Sequence, residues 1–299
     1  PAAPRPDNEH TRLDALRSLR VLDTDEERGF DELTRHAAEL LGMPIALVSL
    51  VDEHRQWFKS RHGLEVCETD RASSVCSYAI LGAEPLVIPD LAEDERTLDN
   101  PLVTGEAGLR FYAGAPIALS TGERVGSFCV IDTEPRTITP EGVRSLQRLA
   151  AVCASQLEYR RSSEFRRLAE DRLRSIQDAS PMAMLHLGPM RDERTRVTDF
   201  RILDANETGS RLLRLPNDVL VGSSLLDRMP GLPEAAGGEV MSMLRAAVSS
   251  RDPGSAEVDY RDGRLDARLR WNAVNLGDEL VVTIEDTSEI RLAQQRIES

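Results

Sequence analysis

The fold of the first half of the chain is decided by PIALVSLVD at residues 44–52 and QWFKSRHG at residues 56–63. A nearly continuous apolar run is followed by a short polar turn and then by a segment of alternating, aromatic character. This pattern predicts a β-hairpin whose first strand is buried on both faces. A second pair repeats the pattern, with RFYAGAPIAL at residues 110–119 turning into RVGSFCVID at residues 124–132. We therefore expect two hairpins within one sheet.

Six ordered blocks lie between residues 46 and 132: ALVSLVD (46–52), QWFKS (56–60), SSVCSYAI (73–80), VIPD (87–90), NPLV (100–103) and GSFCVID (126–132). Together they resemble a GAF domain, the small-molecule sensor module of signalling proteins. The resemblance implies a sheet with one face covered by helices and the other closed by loops over a cavity. It points to sensing and away from catalysis.

The same resemblance supplies a set of residues that would line the cavity. They are Trp57, Phe58, Cys76, Tyr78, Asp90, Phe111, Tyr112 and Cys129. The aromatic side chains would form an apolar wall, and Asp90 would orient a polar ligand. The alternative is a collapsed cavity filled by these side chains, in a domain that only dimerises and relays.

Two amphipathic helices are predicted before the sheet, and one long helix after it. The first two cover residues 9–22 and 27–41, and the second stops at Gly42 with Pro44 just beyond. Residues 139–179 contain no further Gly or Pro after their first turn. Their apolar residues form a heptad seam: Val143, Leu146, Ala150, Cys153 and Leu157, then Phe165, Leu168 and Ile176. This pattern predicts a connecting helix that pairs with a second copy in a parallel homodimer, and the alternative is a helix that packs on its own domain.

Ser180–Pro181, Asn206, LVGSSL (220–225) and VTIEDTS (282–288) follow in order after the long helix. With these residues, the region after Pro181 resembles a PAS domain. Two strands, several short helices and three strands are predicted in that order, with tight hairpins at residues 262–263 and 277–278. Met184, Asn206 and Trp271 would face a pocket there, although a filled core is the alternative. Asp286–Thr287 resembles the junction where PAS domains pass into a signalling helix, so we expect the native protein to continue to an output domain.

These patterns predict an α+β chain of two sensor domains, each a mostly antiparallel sheet flanked by helices, joined by a long helix. The expected boundaries are a disordered leader at 1–8, the GAF-like domain at 9–158, a helical linker at 159–179, the PAS-like domain at 180–286 and a signalling helix from 287 to 299.

Composition excludes several classes of function. The net charge of −14 argues against a nucleic-acid-binding surface, which needs clustered Lys and Arg. No apolar run approaches the roughly 20 residues that span a bilayer, and the N-terminus lacks the apolar core of a signal peptide, so we expect a cytoplasmic protein without membrane contact. The four cysteines show no zinc-ligand spacing, and no metal site is expected.

The motifs also argue against an enzyme and against pigmented cofactors. No nucleophile elbow, phosphate loop or kinase signature is present. GAF domains that attach a bilin use a Cys followed by His, whereas Cys76 is followed by Ser77. The second domain lacks the flavin–cysteine segment, and its only histidine, His186, is more typical of a core or edge residue than of a haem ligand. A redox-responsive thiol at Cys76 and a methionine sulfoxide reductase of the GAF type stay open as alternatives.

The function expected from these resemblances is sensing and relay to a missing C-terminal output domain. A diguanylate cyclase, with or without a phosphodiesterase, is the expected output. A sensor histidine kinase and a ligand-free dimerisation scaffold are the alternatives.

Overall fold

The computed structural model describes residues 2–263 and 265–288. The chain divides into two compact units, Pro1–Arg166 and Arg167–Ser299, and each unit contains its own sheet. Every strand pair in both sheets is antiparallel, and helices flank the sheets. The predicted α+β class is therefore confirmed. No helix among the described residues is long and apolar enough to cross a bilayer.

The first unit has a six-stranded sheet in the order β3-β2-β1-β6-β5-β4. Its elements in chain order are α1 (Glu9–Ser18), α2 (Arg28–Leu41), β1 (Ile45–Val51), β2 (Arg55–His62), β3 (Glu68–Asp70), α3 (Cys76–Ala79), β4 (Leu86–Ile88), α4 (Pro101–Thr104), β5 (Phe111–Ala118), β6 (Arg124–Asp132) and the start of α5 (Pro140–Asp178). The two hairpins predicted from sequence are β1–β2 and β5–β6.

Strand β1 lies at the centre of this sheet, and all seven of its residues are buried. Its neighbours are β2 and β6, so the two hairpins join side by side through β1 and β6. Helix α2 ends at Gly42, three residues before β1. The φ of Gly42 is 63°, a left-handed conformation that Gly adopts without a Cβ penalty.

The alternation of side chains along the strands creates two separate apolar clusters. On the helix face, α1, α2 and α5 cover residues such as Val48, Phe111 and Phe128. On the loop face, α3 and the loops around it cover residues such as Leu47 and Tyr112.

The packing of helix α5 shows that the first part of the predicted dimer seam is wrong. Leu146, Ala150, Cys153 and Leu157 are buried in the helix-face cluster of their own unit, so they are not free to meet a second copy. The reason is that the apolar helix face of the sheet needs a cover, and this stripe supplies it. The later seam is different, since Phe165 is 75% exposed and Ile176 is 61% exposed. Pairing through residues 165–176 stays a prediction.

The second unit has a five-stranded sheet in the order β8-β7-β11-β10-β9. Its elements are the end of α5, then β7 (Ala183–Arg191), β8 (Val197–Ala205), α6 (Glu207–Leu213), α7 (Asn217–Leu220), α8 (Leu225–Arg228), α9 (Glu239–Ser250), β9 (Gly254–Arg261), β10 (Asp266–Leu276) and β11 (Glu279–Asp286). The two predicted hairpins connect β9 to β10 and β10 to β11. The predicted signalling helix lies, from residue 289 on, outside the described residues.

Candidate functional site

The structure brings together four of the eight residues predicted to line the first-domain cavity. Phe58, Cys76, Tyr112 and Cys129 belong to the loop-face cluster and are almost completely buried. They pack among the protein's own apolar side chains.

Trp57 and Phe111 lie in the helix-face cluster, on the opposite side of the sheet. This corrects the expectation that all eight residues share one cavity. The physical reason is that consecutive strand residues point to opposite faces, so Trp57 cannot accompany Phe58, nor Phe111 accompany Tyr112.

Tyr78 and Asp90 contribute to the loops that cover the loop face. The Tyr78 hydroxyl donates to the carbonyl oxygen of Arg96 at 3.4 Å, and the Arg96 guanidinium lies 5.9 Å from the centre of the Tyr78 ring. The Asp90 carboxylate accepts from the backbone N–H of Ala92 at 2.9 Å, which closes a local turn. Both residues therefore shape the covering loop.

The centre of the loop face is a buried pair of thiols. Cys76 Sγ, at the first residue of α3, lies 3.7 Å from Cys129 Sγ on β6. The Tyr112 hydroxyl donates to Cys76 Sγ at 3.4 Å and lies 3.1 Å from Ser127 Oγ. Cys76 is 2% exposed and Cys129 is 0% exposed, so the pair is sealed from bulk water. We call Cys76, Cys129, Tyr112 and Ser127 the thiol cluster.

The register of β5 against β6 explains how the thiol cluster forms. Gly114 is paired with Cys129, and Ser127 is two residues before Cys129 on the same face of β6. A β-carbon at Gly114 would overlap both the Tyr112 phenol and the Ser127 hydroxyl. Gly114 therefore makes the space in which the hydroxyl of Tyr112 reaches the sulfur. Sequence reasoning missed Ser127 and Gly114, although the i, i+2 spacings in RFYAGAPIAL and GSFCVID carry that signal.

Hydrogen bonding makes the two thiols of the cluster unequal. The hydrogen bond shared with Cys129 has the largest effect and lowers the pKa of Cys76; burial opposes it, and the hydrogen bond donated by Tyr112 adds to the lowering. The same interaction with Cys76, together with burial, raises the pKa of Cys129. Burial alone raises the pKa of Cys153, which lies on α5 without such donors. Cys76 is thus the sulfur on which a negative charge is best stabilised.

A second set of buried polar groups holds α3 against the sheet. Gln56 Oε1 on β2 accepts from Ser49 Oγ at 3.3 Å and also from Ser74 Oγ. Ser74 Oγ accepts in turn from the backbone N–H of Ser77 at 3.1 Å, inside the first turn of α3. Hydrogen bonds through Gln56 and Ser74 therefore position the segment that carries Cys76.

A shared carboxylate connects the first sheet to α5. Glu27 Oε1 lies 2.7 Å from Nζ of the buried Lys59 on β2 and 2.8 Å from Nε of Arg160 on α5. Arg160 also donates to the carbonyl oxygens of Leu19 and Arg20, at 3.2 and 3.0 Å. These bonds lower the pKa of Glu27, although its partial burial opposes them.

In the second unit, Asn206 is a structural hub at the C-terminal end of α5. Its side-chain oxygen accepts from the backbone N–H groups of Met184 and Gly209, both at 2.8 Å. Its amide nitrogen donates to the carbonyl oxygens of Gln177 at 2.7 Å and Met182 at 3.0 Å. All four bonding positions of the side chain are used, so Asn206 ties α5 to β7 and caps α6.

Met184 and Asn206 line a cleft of about 260 Å³ together with His186 and Asp204. His186 Nε2 lies 2.7 Å from a carboxylate oxygen of Glu279. Trp271 is instead completely buried in the core, and its indole N–H has no hydrogen-bond partner among the described residues. The three residues predicted for a second pocket are therefore not all in one place.

Comparison with known proteins agrees with this architecture. Residues 25–157 match the family model of the GAF domain, and residues 195–291 match that of the PAS fold. A cyclic di-GMP phosphodiesterase of Pseudomonas aeruginosa is 39% identical over 163 residues, which are 54% of this chain and 28% of the relative. The chain thus spans little more than a quarter of the curated relative that it matches.

Among solved structures, the Escherichia coli DhaR(N)–DhaL complex matches at a TM-score of 0.49 and 12% identity, covering 95% of this chain and 92% of the other. A GAF domain from a phosphoenolpyruvate-protein phosphotransferase of Coxiella burnetii matches at a TM-score of 0.41 and 17% identity, covering 53% and 99%. The chain contains a GAF domain over residues 25–157, followed by a PAS fold over residues 195–291.

Proposed function

We propose that this chain is the sensory and relay region of a protein that makes or degrades cyclic di-GMP. The similarity to the Pseudomonas phosphodiesterase supports this proposal, because the matched region is 28% of that protein and leaves most of its length for other domains. The output domain would be a diguanylate cyclase, a phosphodiesterase or both. The GAF and PAS modules would bias its activity.

The observation that carries the relay is that α5 is anchored in both modules. Leu157 of α5 is buried in the core of the first unit, and Arg160 is bonded to Glu27. Near its other end, Gln177 accepts from Asn206 and Asp178 accepts from the backbone N–H of Glu207 at 3.0 Å. In this proposal, a structural change in either module alters the position of α5, which has residues in both. A small difference in ligand affinity between two states of that element is sufficient to shift their populations.

We further propose that the chain acts as a homodimer through residues 165–176 of α5. Phe165, Leu173 and Ile176 expose most of their side chains, although apolar residues on a helix favour burial. A second copy of the same helix offers a matching apolar surface. The isologous contact would need no other partner.

A ligand-free scaffold is the second candidate, and the packing of the loop face favours it. Phe58, Tyr112 and Cys129 are at most 2% exposed. In that case the GAF domain would contribute dimerisation and relay without sensing a small molecule. Native mass spectrometry of the purified protein separates the two, since a stoichiometric bound molecule supports sensing.

The relay is tested in a chimera that carries this chain in place of the matched region of the Pseudomonas phosphodiesterase. We expect Arg160→Ala and Asn206→Ala to change the rate of cyclic di-GMP hydrolysis, because each removes an anchor of α5. Arg174→Ala, an exposed substitution on the same helix, is the matched control and should leave the rate unchanged. Equal rates in the unmodified chimera and its three variants would contradict the relay.

A further inference from the structure

The thiol cluster has features that packing alone does not require. A buried structural cysteine such as Cys153 behaves as a small apolar residue, with a pKa raised by burial. Cys76 instead has a second sulfur at 3.7 Å and a phenol hydroxyl at 3.4 Å, both directed at its own sulfur. Donors around a sulfur stabilise its thiolate, which is the nucleophilic form of cysteine.

We propose that Cys76 and Cys129 form a reversible disulfide when the protein meets a hydroperoxide, so that the GAF domain carries a redox modification site. Cys76 is the sulfur that reacts first, and Cys129 is the sulfur that resolves it. This role does not depend on the proposed output domain.

The chemistry balances with hydrogen peroxide as the oxidant. The Cys76 thiolate attacks one peroxide oxygen, the O–O bond breaks, and the departing hydroxide takes up the proton that Cys76 released on ionising and leaves as water. The product is a sulfenic acid on Cys76. The Cys129 sulfur then attacks the Cys76 sulfur, the S–O bond breaks, and the hydroxide leaves with the Cys129 proton as a second water. Two electrons pass from the two sulfurs to the peroxide.

The geometry favours closure of this pair over other pairs. The sulfurs must approach from 3.7 Å to about 2.05 Å, which requires side-chain rotation and a shift of one segment. Cys129 lies on β6, in the interior of the sheet between β1 and β5, whereas Cys76 begins a helix of four residues. We expect α3 to make the movement. Its opening also admits a molecule as small as peroxide.

Peptide mapping tests the pair directly, because trypsin places the four cysteines in four different peptides. Cys67 lies in residues 62–71, Cys76 in 72–96, Cys129 in 125–136 and Cys153 in 149–160. The folded full chain is treated with hydrogen peroxide, blocked with iodoacetamide in denaturant and digested without reductant. We expect a species joining 72–96 to 125–136 that disappears with dithiothreitol. The Cys153 peptide should remain fully alkylated, and it is the internal control for burial.

Single variants then test the order of events. In Cys129→Ser, a sulfenic-acid trap should label Cys76, because the resolving thiol is gone. In Cys76→Ser, Cys129 should stay unlabelled. Tyr112→Phe keeps the ring and removes the hydroxyl that bonds to Cys76, and it should slow disulfide formation several-fold. A Cys67→Ser background excludes disulfides through the exposed thiol.

The proposal is overturned if Cys76 and Cys129 of the wild-type protein both remain alkylatable after peroxide treatment. It is also overturned if Cys76 is recovered only as a sulfinic acid or only in a disulfide with Cys67. Because these readouts use the wild-type chain or its Cys67→Ser form, they stand even where another variant fails to fold.

Discussion

Replacing Asn206 by Ala should destabilise the second unit strongly for the loss of a single polar side chain. The side chain is 6% exposed and makes four hydrogen bonds to backbone groups, two as acceptor and two as donor. A typical intramolecular hydrogen bond contributes about 0.5–1.5 kcal/mol net, so four bonds correspond to about 2–6 kcal/mol. Water would reach some of the released groups, and we therefore expect a loss of about 2–4 kcal/mol in the free energy of unfolding.

The assay uses the two tryptophans of the chain, Trp57 in the first unit and Trp271 in the second. With Trp57→Phe as background, the fluorescence of Trp271 follows urea unfolding of the second unit alone. Asn206→Ser should recover part of the loss, because a hydroxyl still caps α6. Asn206→Asp should stay destabilised, since its carboxylate would face the carbonyl oxygens of Gln177 and Met182.

Two results would refute the reasoning. The first is a loss below about 1 kcal/mol for Asn206→Ala, which is the scale of a simple helix cap. The second is an equal shift of the first unit's transition, measured by Trp57 in a Trp271→Phe background, because the four bonds all lie within the second unit.

The two halves of α5 should respond differently to truncation. Leu157→Ala should cost about 2–5 kcal/mol in thermal or urea unfolding, because it leaves a cavity in the first core. Phe165→Ala should cost less than about 0.5 kcal/mol at a concentration where the chain is monomeric; equal losses under that condition would contradict this. Phe165→Glu with Ile176→Glu should convert a dimer to monomers in analytical ultracentrifugation while the circular dichroism of the sheets is kept, and a wild type that is monomeric at tens of micromolar would end the dimer proposal. Glu9→Gln should lower the free energy of unfolding by an amount that depends on pH. Although burial opposes it, hydrogen bonds from two arginines lower the pKa of Glu9 from 4.5 to about 2, so the stability advantage of wild type over Glu9→Gln should be complete above pH 4.5 and vanish as the pH falls through about 2 in acid titration of unfolding. An advantage that persists below that pH would mean that Glu9 acts through packing.

Local patterns in the sequence located most elements of the fold, but not the short strand β3 or the short helix α4. Alternation and turn residues located both hairpins of the first sheet, and the 3.6-residue rhythm located α5 to within one residue at each end. The partner of the α5 stripe was not predictable, because a heptad of apolar residues looks the same whether it covers a sheet or a second helix. Leu146 and Phe165 belong to one pattern, yet only Leu146 lies over the sheet.

The candidate site was predicted in part for a related reason. The resemblance identified the strand segments, but adjacent residues such as Trp57 and Phe58 point to opposite faces of the sheet. Which of the two points to the loop face depends on the register of the strands. The contact between Cys76 and Cys129 joins residues 53 positions apart through α3 packing on β6, which no spacing rule contains. Asn206 lines the cleft of the second unit, but its four hydrogen bonds to backbone groups were not predictable from local sequence, because one of them reaches Gln177 of α5, 29 positions away.

Gly114 has no functional group, yet the chemistry proposed for the thiols is most vulnerable there. Alanine at this position would bring a methyl group into overlap with the phenol oxygen of Tyr112 and the hydroxyl of Ser127, so these side chains would have to move. In a related chain that retains both cysteines, a substitution as small as alanine at Gly114 would displace the Tyr112 hydroxyl from Cys76 and so lower the reactivity of the thiols. Among related chains, the presence of both cysteines would therefore be a poor guide to redox sensitivity, and a glycine opposite the second cysteine would be the better one.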